Sequence, residues 1–169
     1  LTYGEAAARS AMLARGMLAS GIGKGTRVGL LMPNSPDFVI AWFAAARIGA
    51  VIIPINTFYK PRELAFVLQH ADVQVLLTAD KLLGNDYLER LENCIPQLSA
   101  LTHNGAAQTP LLSTTFPWLR HIYVWGDTSR SWCVSQQVLL DAATRLDENF
   151  LTASERCVLP ADPLGIVYS

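Results

Sequence analysis

The stretch FVIAWFAAARIGAVIIPI, residues 38–55, is the most apolar part of the chain and decides its fold class. It has nearly the length of a membrane span, but Arg47, Gly49 and Pro54 interrupt it, and a lipid-facing helix tolerates that combination badly. We therefore predict no transmembrane segment. Residues 38–46 are interpreted as a helix covered on most sides, ended at Gly49, and Val51–Ile55 as the buried strand that follows.

The first helix is predicted from a capping signal at its start. Thr2 and Glu5 form the capping-box pattern, in which the threonine side chain accepts a hydrogen bond from a free helix N–H and the glutamate reaches back. Apolar residues recur at helical spacing as far as Leu18, and Gly21 fits the left-handed position that ends a helix. The chain then turns into Val28–Met32, a short apolar run typical of a buried strand.

Strands and helices alternate along the rest of the chain. Ser35 and Pro36 are a cap and a first helical residue for the helix that ends at Gly49. The remaining predicted elements are a helix Pro61–His70, a strand Val73–Leu77, a helix Asn85–Cys94, a loop or insertion Gln97–Trp118, a strand His121–Trp125, a helix Gln136–Leu146 and a strand Leu164–Tyr168. This alternation predicts the fold class α/β: a mostly parallel sheet covered by helices on both faces, with right-handed crossovers.

Length and composition bound the function. At 169 residues the chain has the size of one domain, and a net charge of −1 excludes the basic footprint that nucleic acid requires. Its three cysteines are odd in number and match no metal-ligand spacing, so we expect free thiols in a reducing cytoplasm. Because the chain begins with Leu1, we expect it to be a piece of a longer protein.

Two patterns that suggest binding or catalysis fit structural roles better. The glycines in Gly21–Gly25 follow a helix and lead into a strand, whereas a phosphate-binding glycine loop follows a strand and opens a helix. We predict a turn there. The carboxylates of Asp86, Glu89 and Glu92 recur along one predicted helix, and we predict that they form a solvated face rather than an acid–base pair.

Two turns lie where open α/β sheets bind ligands. Met32–Pro36 follows the first predicted strand and Asn56–Tyr59 follows the second, so both stand at carboxyl ends of strands. We favour a purely structural turn for both segments, which at Met32–Pro36 is a capped turn with two prolines, and a ligand site stays the alternative.

Three segments carry a resemblance to a known family. They are LTYGE at residues 1–5, RIGAVIIPIN at residues 47–56 and DPLGIVYS at residues 162–169. In this order and at these distances they resemble the opening motif, the second motif and the strand into the phosphate loop of the adenylate-forming (AMP-binding) superfamily. GLLMPNS at residues 29–35 also fits, whereas Ala6 and Gly165 stand where that pattern more often has leucine and alanine.

The resemblance implies that residues 1–169 are the N-terminal part of an AMP-binding domain, in an acyl-CoA synthetase-like fold, truncated before the phosphate loop. The implied parent enzyme joins a carboxylic acid, fatty or otherwise hydrophobic, to coenzyme A with ATP and Mg²⁺ and releases AMP and pyrophosphate. Ser169 is the one residue that matches a position at the ATP-binding loop. We expect no catalytic residue and no metal ligand in the chain, which alone should be inactive.

Other functions stay open at this stage. A peptide-synthetase adenylation domain would use a carrier-protein thiol in place of coenzyme A, and the residues that would decide this lie downstream. A non-catalytic α/β interaction module and a stand-alone flavodoxin-like sheet also fit the pattern. We further expect self-association through an apolar patch or strand edge that truncation exposes.

Overall fold

A computed structural model describes residues 1–100 and 110–168. The helices are α1 Tyr3–Ala19, α2 Pro36–Arg47, α3 Pro61–His70, α4 Tyr87–Cys94, α5 Gln137–Ala142 and α6 Glu148–Arg156, with 3₁₀ turns at Leu98–Ala100 and Ala143–Arg145. The strands are β1 Arg27–Leu31, β2 Val51–Pro54, β3 Val75–Ala79, β4 Lys81–Leu82, β5 Asn85–Asp86, β6 His121–Trp125 and β7 Val134–Ser135.

Five of these strands form one parallel sheet in the order β2-β1-β3-β6-β7. The chain moves from β1 outward to β2 and then back across β1 to β3, which is a doubly wound order. β4 and β5 form a separate antiparallel hairpin beside the sheet. The predicted fold class, a mostly parallel α/β sheet, is confirmed.

Helices cover both faces of the sheet because alternate strand residues point to opposite sides. Leu30 packs with α1, α2 and α5 in one apolar core, and its neighbour Leu31 packs with α3 and α4 in the other. In β3, Leu77 lies in the same core as Leu30, and Leu76 lies in the same core as Leu31. None of the helices in the described ranges combines the length and apolar content that a membrane crossing needs.

The predicted starts of α1 and α2 are confirmed by the hydrogen bonds of their capping residues. The Glu5 backbone N–H donates to Thr2 Oγ1 at 3.2 Å, and the Thr2 N–H donates to Glu5 Oε2 at 2.7 Å, which confirms the capping box. Ser35 Oγ accepts from the Phe38 N–H at 3.2 Å, ahead of α2. Helix α3 has the predicted bounds.

Two predicted boundaries around β3 were displaced. β3 begins at Val75, two residues later than predicted, and α4 begins at Tyr87 rather than at Asn85. The Asp86 side chain accepts from the Glu89 N–H at 2.8 Å, so Asp86 is the cap of α4 and cannot lie inside it. Asn85 and Asp86 instead pair with β4.

The helix predicted over Gln136–Leu146 is found as α5 and the 3₁₀ turn Ala143–Arg145, and the helix that follows was not predicted. α5 ends at Ala142, and a separate helix, α6, follows from Glu148. The Asp147 carboxylate accepts from the Phe150 N–H at 2.8 Å and caps this second helix. The short strand β7 was not predicted at all, because two residues are too few for a period to be seen.

The loop predicted over Gln97–Trp118 contains core residues. Residues 101–109 lie outside the described part of the chain. Beyond them, Leu111 and Phe116 are buried in the core beneath α3 and α4. The Leu111 N–H donates to the Arg120 carbonyl at 2.7 Å, which ties this segment to the start of β6.

The tail, residues 164–168, is not the full strand that was predicted. Gly165 forms an isolated parallel bridge with Ile52 of β2. The Ile52 N–H donates to the Leu164 carbonyl at 3.0 Å, and the Ile166 N–H donates to the Ile52 carbonyl at 2.9 Å. Within the described residues the tail has β2 on one side only, and Val167 is 77% exposed. The tail runs parallel to β2, as predicted, but it pairs with β2 only around Gly165 and not as a strand over Leu164–Tyr168.

Candidate functional site at the carboxyl edge of the sheet

A cleft of about 490 Å³ lies where the parallel strands end. Both turns singled out in the sequence line it, and the tail forms another wall. Its lining includes Met32–Asn34 after β1, residues 54–58 at the end of β2, Leu82 in β4, and Val167 and Tyr168 of the tail. We call this the carboxyl-edge cleft. It is the position at which open parallel sheets bind ligands.

In each of the two turns, a polar side chain accepts a hydrogen bond from a nearby backbone N–H group. Ser35 Oγ is engaged as the cap of α2, and Asn56 Oδ1 accepts from the Phe58 N–H at 2.9 Å. These contacts hold both turns in one conformation. Asn34, Asn56 and Phe58 are exposed, so the cleft presents side-chain amides and a large aromatic ring.

A side chain of helix α4 holds the turn after β2 by hydrogen bonding to its backbone. Arg90 Nη1 donates to the Thr57 carbonyl at 2.6 Å, and Nη2 donates to Asn85 Oδ1 at 2.9 Å. The guanidinium also lies 5.4 Å from the centre of the Tyr87 ring. Sequence reasoning missed Arg90 because its partner Thr57 is 33 residues away.

Asp80 joins the loops that leave β3 and β6 at the same edge. Its carboxylate accepts from the Lys81 N–H at 2.7 Å and from the Asp127 N–H at 3.0 Å. Gly126 makes room for it, since a Cβ there would lie 2.3 Å from Asp80 Cγ. Both carboxylate oxygens are engaged with backbone N–H groups, so Asp80 positions loops and is poorly placed to act as a base.

The acidic face predicted on α4 is partly wrong. Asp86 and Glu92 do not simply face solvent: Arg130 Nη2 lies 3.2 Å from Asp86 Oδ2, and Arg130 Nε lies 3.1 Å from Glu92 Oε1. Trp132, fully buried, donates its Nε1–H to Glu92 at 3.0 Å. These carboxylates tie the segment between β6 and β7 to α4, which no local pattern could reveal.

The network also sets the ionisation of Asp86. Burial alone would raise the pKa of this carboxyl, but the Glu89 N–H and the Arg130 guanidinium outweigh it, and the pKa lies below its usual value. Asp86 is therefore a structural carboxylate that is ionised at neutral pH.

The glycine-rich segment is a turn, as predicted. The Gly25 N–H donates to the Gly49 carbonyl at 2.8 Å, and the Gly23 N–H donates to Thr26 Oγ1 at 3.1 Å. Gly21 and Gly25 have positive φ angles, of 79° and 80°. Because these N–H groups are already bonded within the protein, they do not form a cradle for phosphate.

The cysteines lack the environment of a nucleophile. Burial raises the pKa of Cys94 and of Cys133 to about 12, so neither thiol ionises near neutrality. Cys157 is exposed, and its Sγ lies 3.4 Å from the Ala153 carbonyl within α6. All three are free thiols.

Metal-ligating residue types are not clustered in the described part of the chain. Across residues 1–100 and 110–168, no three His, Cys, Asp or Glu side chains are grouped so that they could hold a metal ion. Ser169, the predicted ATP-contacting residue, lies outside the described residues. Its neighbour Tyr168 does line the carboxyl-edge cleft.

The fold and the cleft define a doubly wound α/β protein with a cleft at the carboxyl ends of its strands. The family model described as AMP-binding enzyme matches residues 1–169 in full. The chain belongs to this family, which confirms the resemblance seen in its motifs.

Similar proteins carry ligase names. The chain is 38% identical over 92 residues to acyl-CoA ligase SID4 of Ajellomyces capsulatus, a match of 54% of this chain and 16% of that protein. It is 40% identical over 77 residues to the long-chain-fatty-acid–CoA ligase FadD13 of Mycobacterium tuberculosis, which covers 46% of this chain and 15% of the relative. The matched segments thus span about one sixth of these curated relatives.

Solved structures support the fold. The structure of a long-chain-fatty-acid-CoA ligase, FadD1, from Archaeoglobus fulgidus superposes with a TM-score of 0.66 at 22% identity. The match covers 100% of this chain and 27% of that structure. The parallel sheet with its helices is therefore the fold of the N-terminal region of that ligase.

Proposed function

We propose that this chain is the N-terminal part of an ATP-dependent acid–thiol ligase. In the proposed reaction of the whole protein, a substrate carboxylate attacks the α-phosphate of ATP, giving an acyl-adenylate and pyrophosphate. The thiol of coenzyme A then displaces AMP. Membership of the AMP-binding enzyme family supports this proposal.

The observation that carries the proposal is the course of the tail. It enters the sheet parallel to β2 through Gly165, and it therefore runs toward the same edge at which β1 and β2 end. Val167 and Tyr168 reach the carboxyl-edge cleft, and Ser169 follows them directly. A phosphate-binding loop that continued from Ser169 would start beside the turns after β1 and β2.

Coenzyme A and a hydrophobic acid are the proposed co-substrates. The names of the similar proteins, SID4 and FadD13, are those of CoA ligases, and FadD13 is named for long-chain fatty acids. This favours coenzyme A over a carrier-protein thiol. The free thiols support the proposed cytoplasmic location.

The chain alone is proposed to be inactive. The cleft offers an exposed amide at Asn34 and aromatic rings at Phe58 and Tyr168, but its described lining contains no Lys, Arg or carboxylate that could stabilise charge on a transferring phosphoryl group. ATP, Mg²⁺ and the acid would be held mainly by residues that follow position 169.

A pyrophosphate-release assay tests both parts of the proposal. The 169-residue chain and the complete product of its gene are each incubated with ATP, Mg²⁺, coenzyme A and carboxylic acids of increasing chain length. We expect release only with the complete protein and only with acid present. Turnover by the 169-residue chain would contradict the inactivity, and a complete protein that forms neither adenylate nor acyl-CoA would contradict the ligase.

A further inference from the structure

An aromatic cluster joins the end of the tail to helix α3. Tyr168 Oη lies 2.8 Å from His70 Nδ1, and the two rings meet edge to face at 5.8 Å and 82°. Phe66 stacks on His70 at 5.0 Å and 16°, and it meets the Tyr168 ring at 6.4 Å and 90°. We call Phe66, His70 and Tyr168 the tail clamp.

Helix α3 presents two of these rings together because of its period. Phe66 and His70 are four residues apart and lie on one face of the helix. The inner face of α3, with Leu64 and Leu68, is buried in the core, so the helix is rigidly placed while its outer aromatic residues remain available. Tyr168 is 98 residues away from His70 in the chain.

The tail has few other attachments near its end. Two backbone hydrogen bonds hold it to Ile52, and further upstream Asp162 pairs with Lys24 at 2.7 Å. Past Ile166, the tail contacts the clamp residues and the cleft wall, and the Tyr168 ring also packs against the apolar core beneath α3. A segment bonded on one side only frays easily, so an anchor at its last described residue determines where the chain goes next.

We propose that His70 and Phe66 are positioning residues that hold Tyr168, the last described residue, at the wall of the carboxyl-edge cleft. The inference rests on the proposed function, because the residues held in this way would begin the ATP-binding loop. Tyr168 also separates the cleft from a second hollow of about 590 Å³ over α3, which Tyr59, Arg62 and Phe66 line.

Burial of the Tyr168 phenol favours its protonated form. Arg27 and Asp72 form an ion pair at 2.5 Å, and both act on the phenol. Burial, and then Asp72, raise the pKa of Tyr168, while Arg27 opposes them. The phenol is therefore protonated near neutrality and can donate to His70 Nδ1.

Amide hydrogen exchange in the 169-residue chain tests the clamp independently of activity. The Ile166 N–H reports on the tail because it donates to the Ile52 carbonyl. We expect Tyr168→Phe and His70→Leu each to raise its exchange rate about twofold to tenfold, as loss of one hydrogen bond predicts, while amides of β1 stay unchanged. His70→Asn, whose amide reaches the place of Nδ1, should restore most of the protection.

The control is Tyr3→Phe, which removes a hydroxyl from a side chain that is 97% exposed at the start of α1, and it should change nothing at Ile166. Unchanged exchange at Ile166 in both clamp variants, or an Ile166 amide without protection in the unmodified chain, would overturn the proposal.

Kinetics of the complete protein test the positioning role. Tyr168→Phe and His70→Leu should raise the KM for ATP severalfold and leave the KM for the acid unchanged, and His70→Asn should again restore function. Equal changes in both KM values would contradict positioning of the ATP loop. A complete protein without ligase activity would refute the proposed function, yet the exchange result would still decide the clamp.

Discussion

Gly16 lies where α1 crosses α5, and its missing side chain sets how closely the two helices approach. A Cβ at Gly16 would stand 1.9 Å from the backbone carbonyl oxygen of Leu139. A backbone atom inside a packed layer cannot rotate away as a side chain can, so α5 would have to move.

We predict that Gly16→Ala destabilises the chain by about 1–3 kcal/mol despite the better helix propensity of alanine, since overpacking outweighs that gain. Urea unfolding followed by circular dichroism measures the loss. Gly4→Ala is the matched control, because it lies in the same helix with nothing within 4 Å of its Cβ, and it should cost nothing. Equal stability of the two variants would contradict the prediction and would show that α5 can move to accommodate the added methyl group.

At the scale of single elements, helix α4 depends on Asp86 twice. The carboxylate caps the helix through the Glu89 N–H and pairs with Arg130 from the segment before β7. Its pKa in the folded chain is below the ordinary value, with the Glu89 N–H and Arg130 outweighing burial. A carboxyl of this kind stabilises the fold above its unfolded-state pKa, and the contribution disappears as the pH falls through its folded-state pKa.

We predict that Asp86→Ala lowers the free energy of unfolding by roughly 1–2 kcal/mol at pH 7, the cost of losing a cap. The difference from the unmodified chain should shrink as the pH is lowered toward 3. Asp86→Asn keeps a capping oxygen and should lose less at pH 7. Denaturant titrations at several pH values give the result, and a loss that is independent of pH would exclude a role for the charge.

Elements with local signals were predictable from the sequence, and elements that depend on distant partners were not. Thr2 and Ser35 cap their helices by accepting hydrogen bonds from backbone N–H groups three residues further on. The starts of α1 and α2 are therefore determined by neighbouring residues in the sequence. The parallel sheet followed from the apolar strands between those helices. Strand β7 and helix α6 were missed: Val134–Ser135 is too short to show a period, and the nine-residue helix after the Asp147 cap was not predicted.

Part of the candidate site could likewise be predicted from the sequence, and part could not. The turns after β1 and β2 could be placed at one edge of the sheet, because parallel strands end together. That Arg90 holds the Thr57 carbonyl, and that His70 bonds Tyr168, could not be foreseen, since each pair is brought together only by packing of the whole sheet.

For the molecule as a whole, the tail is the exposed edge of the sheet in the described part of the chain. Leu164 and Ile166 direct their backbone groups toward Ile52, so alternation leaves the N–H and C=O of Gly165 facing away from β2. Leu164 and Val167 are more than half exposed along this edge. Such an edge is a template for pairing with a second copy of the chain.

We predict that the 169-residue chain self-associates through this edge and that Val167→Lys reduces the association, because a charge would be placed between the paired tails. Sedimentation velocity over a range of concentrations measures it. Leu83→Lys is the control, since Leu83 is 90% exposed in the turn between β4 and β5 and is not part of the tail. A monomer at all concentrations, or equal loss with both variants, would contradict the edge as the interface.

The buried indole described beside α4 gives the molecule an optical reporter. Trp132 has no exposed surface and donates to Glu92, whereas Trp118 is 52% exposed. Excited indole emits at shorter wavelength in an apolar setting, so detachment of the residues before β7 from α4 would appear as a red shift from Trp132. A chain in which the other tryptophans are replaced by phenylalanine would allow that detachment to be followed separately from melting of the sheet.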